Sequence, residues 1–477
     1  MSPNITFYKF SIAALAISAL IATSGCSTKT AFQNSFNEKL LTPDSLSQPV
    51  INQAALTNNS TVSSTAKNPP SQDMSLRSIA FVALKQNPTI SIARWQAVGA
   101  GAAVSLAKVK TRPKIAFSFS SGPEASYAAN VDDVSTQIRT ETSFTLSQLI
   151  YDFGKVSNEI SYAEAIKIAS QKRLADKVAT ILHAVSAIYL EVLEQDLLIA
   201  NSYQNEKAHK KTYNLVKVSE EGGNATKADV QKAFTRLEGA RTQTHDLLSR
   251  RQRSASEFRR LTGLEPDNLS IPKINNNIAE LKISDIEKYF SQNPKMQALL
   301  IEKQALEHQK TALERSYLPV LSLEGAGGTK LNVGATSPLT ADARIQLALR
   351  GNIFDGGSTK AKLAQAVAKL GENEARYRKE RYKVENEVYD AIRILGTARD
   401  KSKSIRSRIR ASEDVVRLYT EQFKAGERGI FELLDAQQEL FAAKAEQISN
   451  SYDILRAKYS AQKLTGNLIP NLLTDLE

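Results

Sequence analysis

Two long stretches of the chain repeat apolar residues at alternating spacings of four and three. The first runs from Lys155 to about Glu220, and the second from Ser358 to about Lys424. The seam of the first is formed by Leu174, Val178, Ile181, Val185, Ile188, Val192 and Ile199. This spacing places one apolar stripe along a helix, as in a coiled coil. The pattern predicts two helices of roughly 65 residues, each about 100 Å long.

Four shorter amphipathic stretches flank the long ones and predict helices a little over half as long. They run over about Met74 to Arg112, Thr226 to Thr262, Ser284 to Tyr317 and Ile430 to Thr465. Two of them placed end to end would cover one long helix. Ser284-Asp285-Ile286-Glu287 has the pattern of a capping box at one of these starts. The glycine-containing breaks at Gly223 and Gly426 predict antiparallel helical hairpins.

Between the helices lie four stretches in which apolar and polar residues alternate, which predicts β-strands. Two of them are Lys114–Ser120 and Thr140–Gln148, and the other two lie near residues 321–324 and 344–350. The connecting segments 121–137 and 325–342 are rich in Gly, Ser and Asp, so we expect loops there. The polar faces carry Glu141, Ser143, Ser147, Ser322, Glu324, Arg344, Gln346 and Arg350.

The pattern of helices and strands occurs twice. Gln86-Asn87-Pro88 recurs as Gln292-Asn293-Pro294, and Leu261-Thr262-Gly263 recurs as Leu464-Thr465-Gly466. The strand ends Tyr151–Gly154 and Phe354–Gly357 correspond in the same way. The matches keep one order and an offset near 205 residues, so we predict two repeats, 74–270 and 271–477. Each repeat contains a helix, two strands, a long helix, a turn and a shorter helix.

The pattern of residues at the N-terminus is typical of an export signal. One lysine precedes an apolar run from Phe10 to Ala22, which is too short to span a membrane as a helix. The small residues before the single cysteine resemble the bacterial lipoprotein cleavage box. The resemblance implies a signal peptide over 1–25 and a lipidated Cys26; an ordinary secretory peptide is the alternative. Residues 26–73 are rich in Ser, Thr, Asn and Pro, which predicts a flexible tether.

Four strands with one apolar face are incomplete in a membrane, where every backbone polar group needs a partner. Small membrane barrels begin at about eight strands, and a water-filled lumen needs more. We therefore predict an α+β membrane protein in which three copies form a twelve-stranded transmembrane β-barrel and a long α-helical coiled-coil barrel. The polar strand faces would line its lumen. A soluble sheet packed on its own helices is the alternative.

The distribution of charged residues and the absence of catalytic motifs in the sequence disfavour several classes of function. The net charge of +12 could indicate nucleic-acid binding, but acids interleave with the basic residues along the helices, which is typical of solvated faces. The four histidines have no metal-ligand spacing, and the Gly-rich stretches lack the ending of a phosphate-binding loop. We therefore expect no catalytic site, no metal and no cofactor.

The motifs over about Met74 to Leu468 resemble those of the TolC-like outer-membrane efflux proteins. They are Tyr151–Gly154, Phe354–Gly357, Gly223 with Asp229-Val230-Gln231, Phe423–Arg428 and Leu433–Gln437. The resemblance implies a homotrimer in the outer membrane of a Gram-negative bacterium, with its helices in the periplasm. It also implies a periplasmic adaptor and an inner-membrane pump as partners. The segment Leu434–Gln437 is most similar to members that serve ABC-driven type I secretion, although proton-driven drug-efflux members share nearly all of the pattern.

The resemblance also implies roles for residues at the two hairpin turns. Glu432 and Asp435 would ring the closed periplasmic entrance, and Asp229 would help to hold it shut. Phe423 stands where the family often has a tyrosine hydroxyl, which leaves Arg428 as a candidate for a bond across the entrance. The tips that would dock to the adaptor are Gly223, Asn224, Ala225, Gly426, Glu427 and Arg428. The alternatives are helix capping by the acids, a solvated Arg428 and simple turn formation at the tips.

Two functions follow from this sequence. The first is a passive exit duct for protein or small molecules that depends on the pump for energy. The second is a non-transporting lipoprotein whose coiled coils serve as a spacer or adhesin. The polar strand faces favour the duct, because a spacer does not need them.

Overall fold

The computed structural model describes residues 74–128, 133–272, 281–332 and 339–473. The predicted signal peptide, Cys26 and the tether over 26–73 lie outside these residues. The helices are α1 Leu76–Gln86, α2 Pro88–Val109, α3 Lys155–Glu221, α4 Lys227–Thr262, α5 Ile286–Gln292, α6 Pro294–Arg315, α7 Ser358–Lys424, α8 Ile430–Leu464 and α9 Leu468–Leu473. The strands are β1 Lys114–Ala128, β2 Asp133–Tyr151, β3 Val320–Leu331 and β4 Leu339–Arg350.

The long helix α3 lies at the centre of the helical part. It packs against α2 and α4 and against α6 and α8, while α7 packs against α6 and α8. The long helix α3 therefore contacts these four shorter helices, and α7 contacts the last two, so that two shorter helices together cover α7 as the sequence predicted. By length and composition α3 could cross a membrane, but 61% of its most apolar 18-residue window is buried inside the protein. We therefore treat α3 as a core helix.

The main core surrounds α3 near its middle. Leu182 and Tyr189 of α3 are fully buried there beside Ile79 of α1, Phe258 of α4 and Leu468 of α9. The Tyr189 hydroxyl lies 2.9 Å from the carbonyl oxygen of Met74 and 2.5 Å from that of Ser270. These contacts hold the start of the described chain and the segment that follows α4 against the long helix α3.

The predicted single helices over Met74–Arg112 and Ser284–Tyr317 are each two helices. The breaks fall at Asn87 and Asn293, whose side chains accept hydrogen bonds from the next helix, at 2.9 Å from Thr89 N and 3.0 Å from Lys295 N. The proline that follows each Asn occupies the first helical position, where its missing N–H costs nothing. The expectation was wrong because the apolar periodicity continues through an Asn-Pro pair that stops the backbone.

Two of the repeated motifs meet in space. Gly263 and Gly466 both have a φ of 72°, a left-handed conformation that favours glycine. A Cβ on Gly263 would lie 2.6 Å from Gln86 Oε1, and a Cβ on Gly466 would lie 2.6 Å from the Gln292 carbonyl oxygen. Each glycine therefore lets the end of a repeat approach its beginning closely.

The capping box predicted at Ser284 does not form. Residues Ile283–Asp285 make a short 3₁₀ turn, and Asp285 precedes α5 without a side-chain cap bond. The Ser284 hydroxyl instead donates to Asp285 Oδ1 at 3.1 Å. A turn that tightens to 3₁₀ moves the candidate cap away from the amides it would have bonded.

The four strands form one antiparallel sheet in the order β1-β2-β3-β4. The predicted loops 121–137 and 325–342 are largely strand, because β1 continues to Ala128, β2 begins at Asp133, β3 continues to Leu331 and β4 begins at Leu339. A ladder is held by backbone bonds, so Gly- and Ser-rich segments extend it when a neighbouring strand is present. Within the described residues, β1 and β4 each pair on one side only.

The two faces of the sheet differ as predicted. One face is apolar and exposed, with Ile345 78% and Phe117 60% accessible. The polar residues named above share the opposite face: Ser143 faces Ser118, while Glu324 lies between Ser147 and Gln346. An apolar face with this exposure needs a covering that the described part of the chain does not supply.

The corners between sheet and long helices explain two further motifs. Asp152 accepts hydrogen bonds from Gly154 N at 3.0 Å and Val156 N at 2.6 Å. Asp355 accepts the corresponding hydrogen bonds at the start of α7, from Gly357 N at 3.0 Å and from Thr359 N at 2.8 Å. Each Asp thus caps free amides at the start of a long helix.

Candidate functional site

The two hairpin turns share one local geometry. Gly223 and Gly426 have φ values of 76° and 74°. The amide of Asn224 donates to the Ser219 carbonyl at 2.8 Å, and that of Glu427 donates to the Gln422 carbonyl at 2.9 Å. These bonds close the helix ends as in a Schellman motif. The residues at both tips are exposed, except for the half-buried Ala225 and Arg428.

A small apolar core joins the two tips, and we call it the tip cluster. It consists of the buried Val216, Ala233, Phe423, Ile430, Leu433 and Leu434. Phe423 lies inside this cluster, so its ring packs between the hairpins. A phenylalanine suits this position, because its side chain is apolar and has no hydroxyl that would need a hydrogen-bond partner in the cluster.

Asp229 acts within its own hairpin. Its Oδ2 accepts hydrogen bonds from Thr226 N at 2.8 Å and from Thr226 Oγ1 at 2.7 Å, while its own amide donates to Thr226 Oγ1 at 3.2 Å. This is a complete capping box at the start of α4. The structure thus gives Asp229 the local role that its sequence context also allowed.

Arg428 also binds within its own hairpin. Its Nε donates to Gln422 Oε1 at 2.7 Å, and its guanidinium lies 4.0 Å from the centroid of the Tyr419 ring. Stacking of this kind holds a guanidinium against an aromatic face. Arg428 is therefore ordered across the second turn.

Glu432 and Asp435 lie on one exposed face of α8 but have different partners. Asp435 Oδ1 accepts a hydrogen bond from Arg236 Nη2 at 2.8 Å. Arg236 belongs to α4, so this ion pair joins the first hairpin to the second. Glu432 forms no ion pair among the described residues. The Asp435 side chain remains 70% exposed, so the bond lies at the surface.

Sequence reasoning missed a buried polar row beside this ion pair. His209 is 1% exposed, its Nδ1 has no hydrogen-bond partner, and burial together with nearby Arg236 lowers its pKa. Gln437 Nε2 donates to Thr212 Oγ1 at 2.8 Å. The row continues the spacing of four and three along α3: Ser202, Asn205, His209, Thr212 and Val216 are all buried. That spacing could have revealed it.

The polar face of the sheet contains several bonds. Glu141 lies 2.5 Å from Arg139 Nη2, and Ser143 Oγ lies 2.8 Å from Ser118 Oγ. The carboxylate of Glu324 forms an ion pair with Arg350 and accepts from Gln346 at 3.4 Å. Arg344 is exposed on this face and has no hydrogen bond or ion pair among the described residues. All these residues lie on the polar face of the sheet, and they are distant in sequence from the hairpin tips.

Among the described residues, no group of His, Cys, Asp and Glu side chains could hold a metal ion. At the tips, Glu432 is an exposed carboxylate without an ion pair among the described residues, and both turns expose polar groups. This arrangement can attract charge and contact another protein, and it contains no paired nucleophile and base.

Comparison with known proteins gives consistent matches. Residues 82–264 and 286–467 match the family model described as Outer membrane efflux protein. The chain is 21% identical over 377 residues to the outer membrane efflux protein BepC of Brucella suis, covering 78% of this chain and 80% of BepC. It is 25% identical over 343 residues to the toluene efflux pump outer membrane protein TtgC of Pseudomonas putida, covering 69% and 70%.

A third relative carries a different name. The alkaline protease secretion protein AprF of Pseudomonas aeruginosa is 21% identical over 336 residues, covering 66% of this chain and 67% of AprF. Among solved structures, the Campylobacter jejuni CmeC outer membrane channel superposes with a TM-score of 0.73 at 17% identity, covering 82% of this chain and 86% of CmeC. At that identity the likeness concerns the fold, which is that of an α+β outer-membrane channel.

Proposed function

Since the chain belongs to the outer membrane efflux protein family, we propose that it is the exit duct of a three-part export system. Three copies form a passive channel across the outer membrane, and their helices continue it into the periplasm. A periplasmic adaptor and an inner-membrane pump complete the pathway and supply its energy. The protein itself has no enzymatic role in this proposal.

The open sheet is the observation that carries the proposal. Its edge strands β1 and β4 each pair on one side only within the described residues, and its apolar face is exposed. Unpaired edges are unfavourable in water and prohibitive in lipid, where each unsatisfied backbone group costs several kcal/mol. Closure with further copies satisfies both edges at once. Three copies give twelve strands, enough for a water-filled lumen lined by the polar face.

The hairpin tips suit the periplasmic entrance of this channel. We propose that Glu432 and Asp435 ring the entrance, where three copies of each would concentrate negative charge. The Arg236–Asp435 ion pair supports a closing role for this region, because it ties one hairpin to the other. The exposed turns at Gly223–Ala225 and Gly426–Arg428 are the proposed adaptor contacts.

The N-terminus places the protein at the outer membrane in this proposal. Cys26 would become the lipidated first residue after removal of residues 1–25, and residues 26–73 would connect the lipid to the helices. Mass spectrometry of the mature protein tests this: a diacyl or triacyl group on Cys26 supports it, and an unmodified thiol contradicts it.

The names of the relatives favour small-molecule efflux as the first role. BepC and TtgC are named as efflux proteins, whereas AprF is named for protease secretion. Polypeptide secretion remains the second candidate because Leu434–Gln437 is similar to that subgroup. Deletion of the gene separates the two: increased drug sensitivity supports efflux, and loss of a secreted polypeptide supports secretion.

Channel recording tests the duct directly. Purified protein in planar lipid bilayers should give discrete conductance steps, and the double substitution Glu432→Ala with Asp435→Ala should reduce the preference for K⁺ over Cl⁻. Glu372→Ala is the matched control, because Glu372 is an exposed acid paired with Arg376 in the first quarter of α7, far along the helix from the hairpin tip. A protein that inserts but never conducts would instead support the spacer or adhesin.

A further inference from the structure

The two halves of the sheet correspond residue for residue. β3 follows β1 at an offset of 206 residues, and β4 follows β2 at an offset of 203. Lys114 faces Ser147 in the first hairpin, and the corresponding Val320 faces Arg350 in the second. The same agreement holds along both ladders. One internal register therefore describes both repeats.

The joint between the repeats is formed by β2 and β3. Thr145 faces Ala326 and Glu141 faces Lys330 across it. In a closed ring of copies, the equivalent joint connects β4 of one subunit with β1 of the next, and the alternating strand directions make that pair antiparallel. We propose that β4 binds β1 of a second copy in the register of the β2–β3 joint, which pairs Arg344 with Glu124 of the partner subunit. The proposal rests on the closure argued above.

Two unpaired groups support this register independently. Arg344 has no partner among the described residues, whereas Arg139 and Arg350 on the same face are both ion-paired. Glu124 accepts from Arg139 Nη1 at 3.1 Å through Oε1, but its Oε2 is buried without a hydrogen-bond partner. The register brings the unpaired guanidinium to the unpaired carboxylate oxygen, and such charge-assisted bonds are among the stronger ones.

The pairing has to come from a second copy. Within one chain, β1 and β4 are separated by two strands, so their backbones lie roughly 14 Å apart at the usual strand spacing. Arg344 therefore cannot pair with Glu124 of its own subunit across the sheet. The equivalent internal position holds Glu141 and Lys330, which are also oppositely charged but in reversed order. The reversed charges distinguish the outer joint from the inner one.

The register also accounts for an exposed segment after β4. Residues 351–354 correspond to 148–151, which form the last part of β2 against β3. Ile353 and Phe354 are almost fully exposed in the single chain. Pairing with the partner subunit's Ile115 region would extend β4 to Phe354, just as Tyr151 lies opposite Leu321 in the inner joint.

Cysteine cross-linking measures this register. The proposed register places Ala348 opposite the partner's Ser120, so the double variant Ala348→Cys with Ser120→Cys should form covalent dimers and trimers on mild oxidation. The shifted pairs Ala348→Cys with Ser118→Cys, and Ala348→Cys with Gly122→Cys, should cross-link at least about tenfold less. A slip of two residues moves the Cα atoms by roughly 7 Å, beyond disulfide reach.

Internal controls make each outcome decisive. The double variant Thr145→Cys with Ala326→Cys reproduces the same geometry within one chain and should form an intramolecular disulfide without oligomers. Single variants report any linkage through Cys26. Preferential linkage of a shifted pair, or trimers in detergent without linkage, would overturn the register while leaving the duct intact. A monomer in detergent would overturn the duct and the register together.

Charge reversal gives a second readout. Arg344→Glu places two carboxylates at the joint and should lower the temperature at which the trimer dissociates in detergent. Adding Glu124→Arg should restore part of that loss, because the charges across the joint are opposite again; it also breaks the Arg139–Glu124 pair, although Arg139 keeps its second partner Glu141. The same swap at the Glu324–Arg350 pair, which lies within one subunit, should leave dissociation of the trimer almost unchanged. Equal effects at both pairs would contradict the intersubunit contact.

Discussion

At the scale of single residues, the tips depend on a few polar contacts whose partners come from distant parts of the chain. Arg236 and Asp435 are 199 residues apart, yet their side chains lie 2.8 Å apart. Acids that resemble an entrance ring can be found in the sequence. Their partner Arg236 cannot be identified from the sequence, because α4, α3 and α8 come to lie side by side only when the helices pack. The unpaired negative charge at the hairpin tips is therefore smaller than the sequence suggested.

The Arg236–Asp435 ion pair should limit opening rather than stability. Arg236→Gln removes the bond between the hairpins, so we expect longer open times in channel recordings. The unfolding midpoint should change little, because exposed ion pairs contribute about 0.2–1 kcal/mol. Arg260→Gln is the control, since Arg260 pairs with Glu257 within α4 itself. Identical recordings from the two variants would show that the ion pair has no part in gating.

His183 should make stability depend on pH. Its ring lies 2.9 Å from Ser460 Oγ, and burial, with a smaller effect of nearby Lys463, lowers its pKa to about 4. Below pH 6.5 the unfolded chain binds a proton that the folded chain does not, so stability falls as pH decreases from about 6.5 to about 4. The loss is at most about 3 kcal/mol. His183→Gln should flatten this part of a pH series of melting temperatures; an unchanged slope would exclude His183 as its source.

At the scale of elements, the sequence predicted the long helices well and the strand ends poorly. The seams of α3 and α7 repeat for many turns, so each helix is specified many times over. The segments 121–137 and 325–342 have Gly, Ser and Asp, and their strand conformation depends on a neighbouring ladder. The Asn-Pro pairs at Pro88 and Pro294 were recognised as repeated motifs in the sequence. That they break the helix was missed, because the apolar periodicity of a helix continues on both sides of each pair. Local pattern therefore fixes the helices, while pairing fixes the strands.

The two repeat-closing glycines should differ in their tolerance of substitution. Gly263→Ala and Gly466→Ala both place a side chain at positive φ, which costs about 1–2 kcal/mol. At Gly263 the added Cβ meets the movable end of Gln86, whereas at Gly466 it meets a backbone carbonyl of Gln292. We therefore expect Gly466→Ala to lower the melting temperature further. Equal losses would mean that backbone conformation alone decides the cost.

At the scale of the whole molecule, one chain is an incomplete piece of a channel. The described sheet has two open edges and an exposed apolar face, and both long helices, α3 and α7, start shortly after its strands end. The sequence led to the same conclusion through the two repeats and the alternating strands. Both arguments require further copies, because no element of the described chain covers the open edges.

Native mass spectrometry of the purified protein, released from detergent, tests this claim most directly. We expect a single species of three chains, with no stable form in water without detergent. A monomer that stays folded and soluble without detergent would contradict the account, since its sheet edges and apolar face would then need no partner.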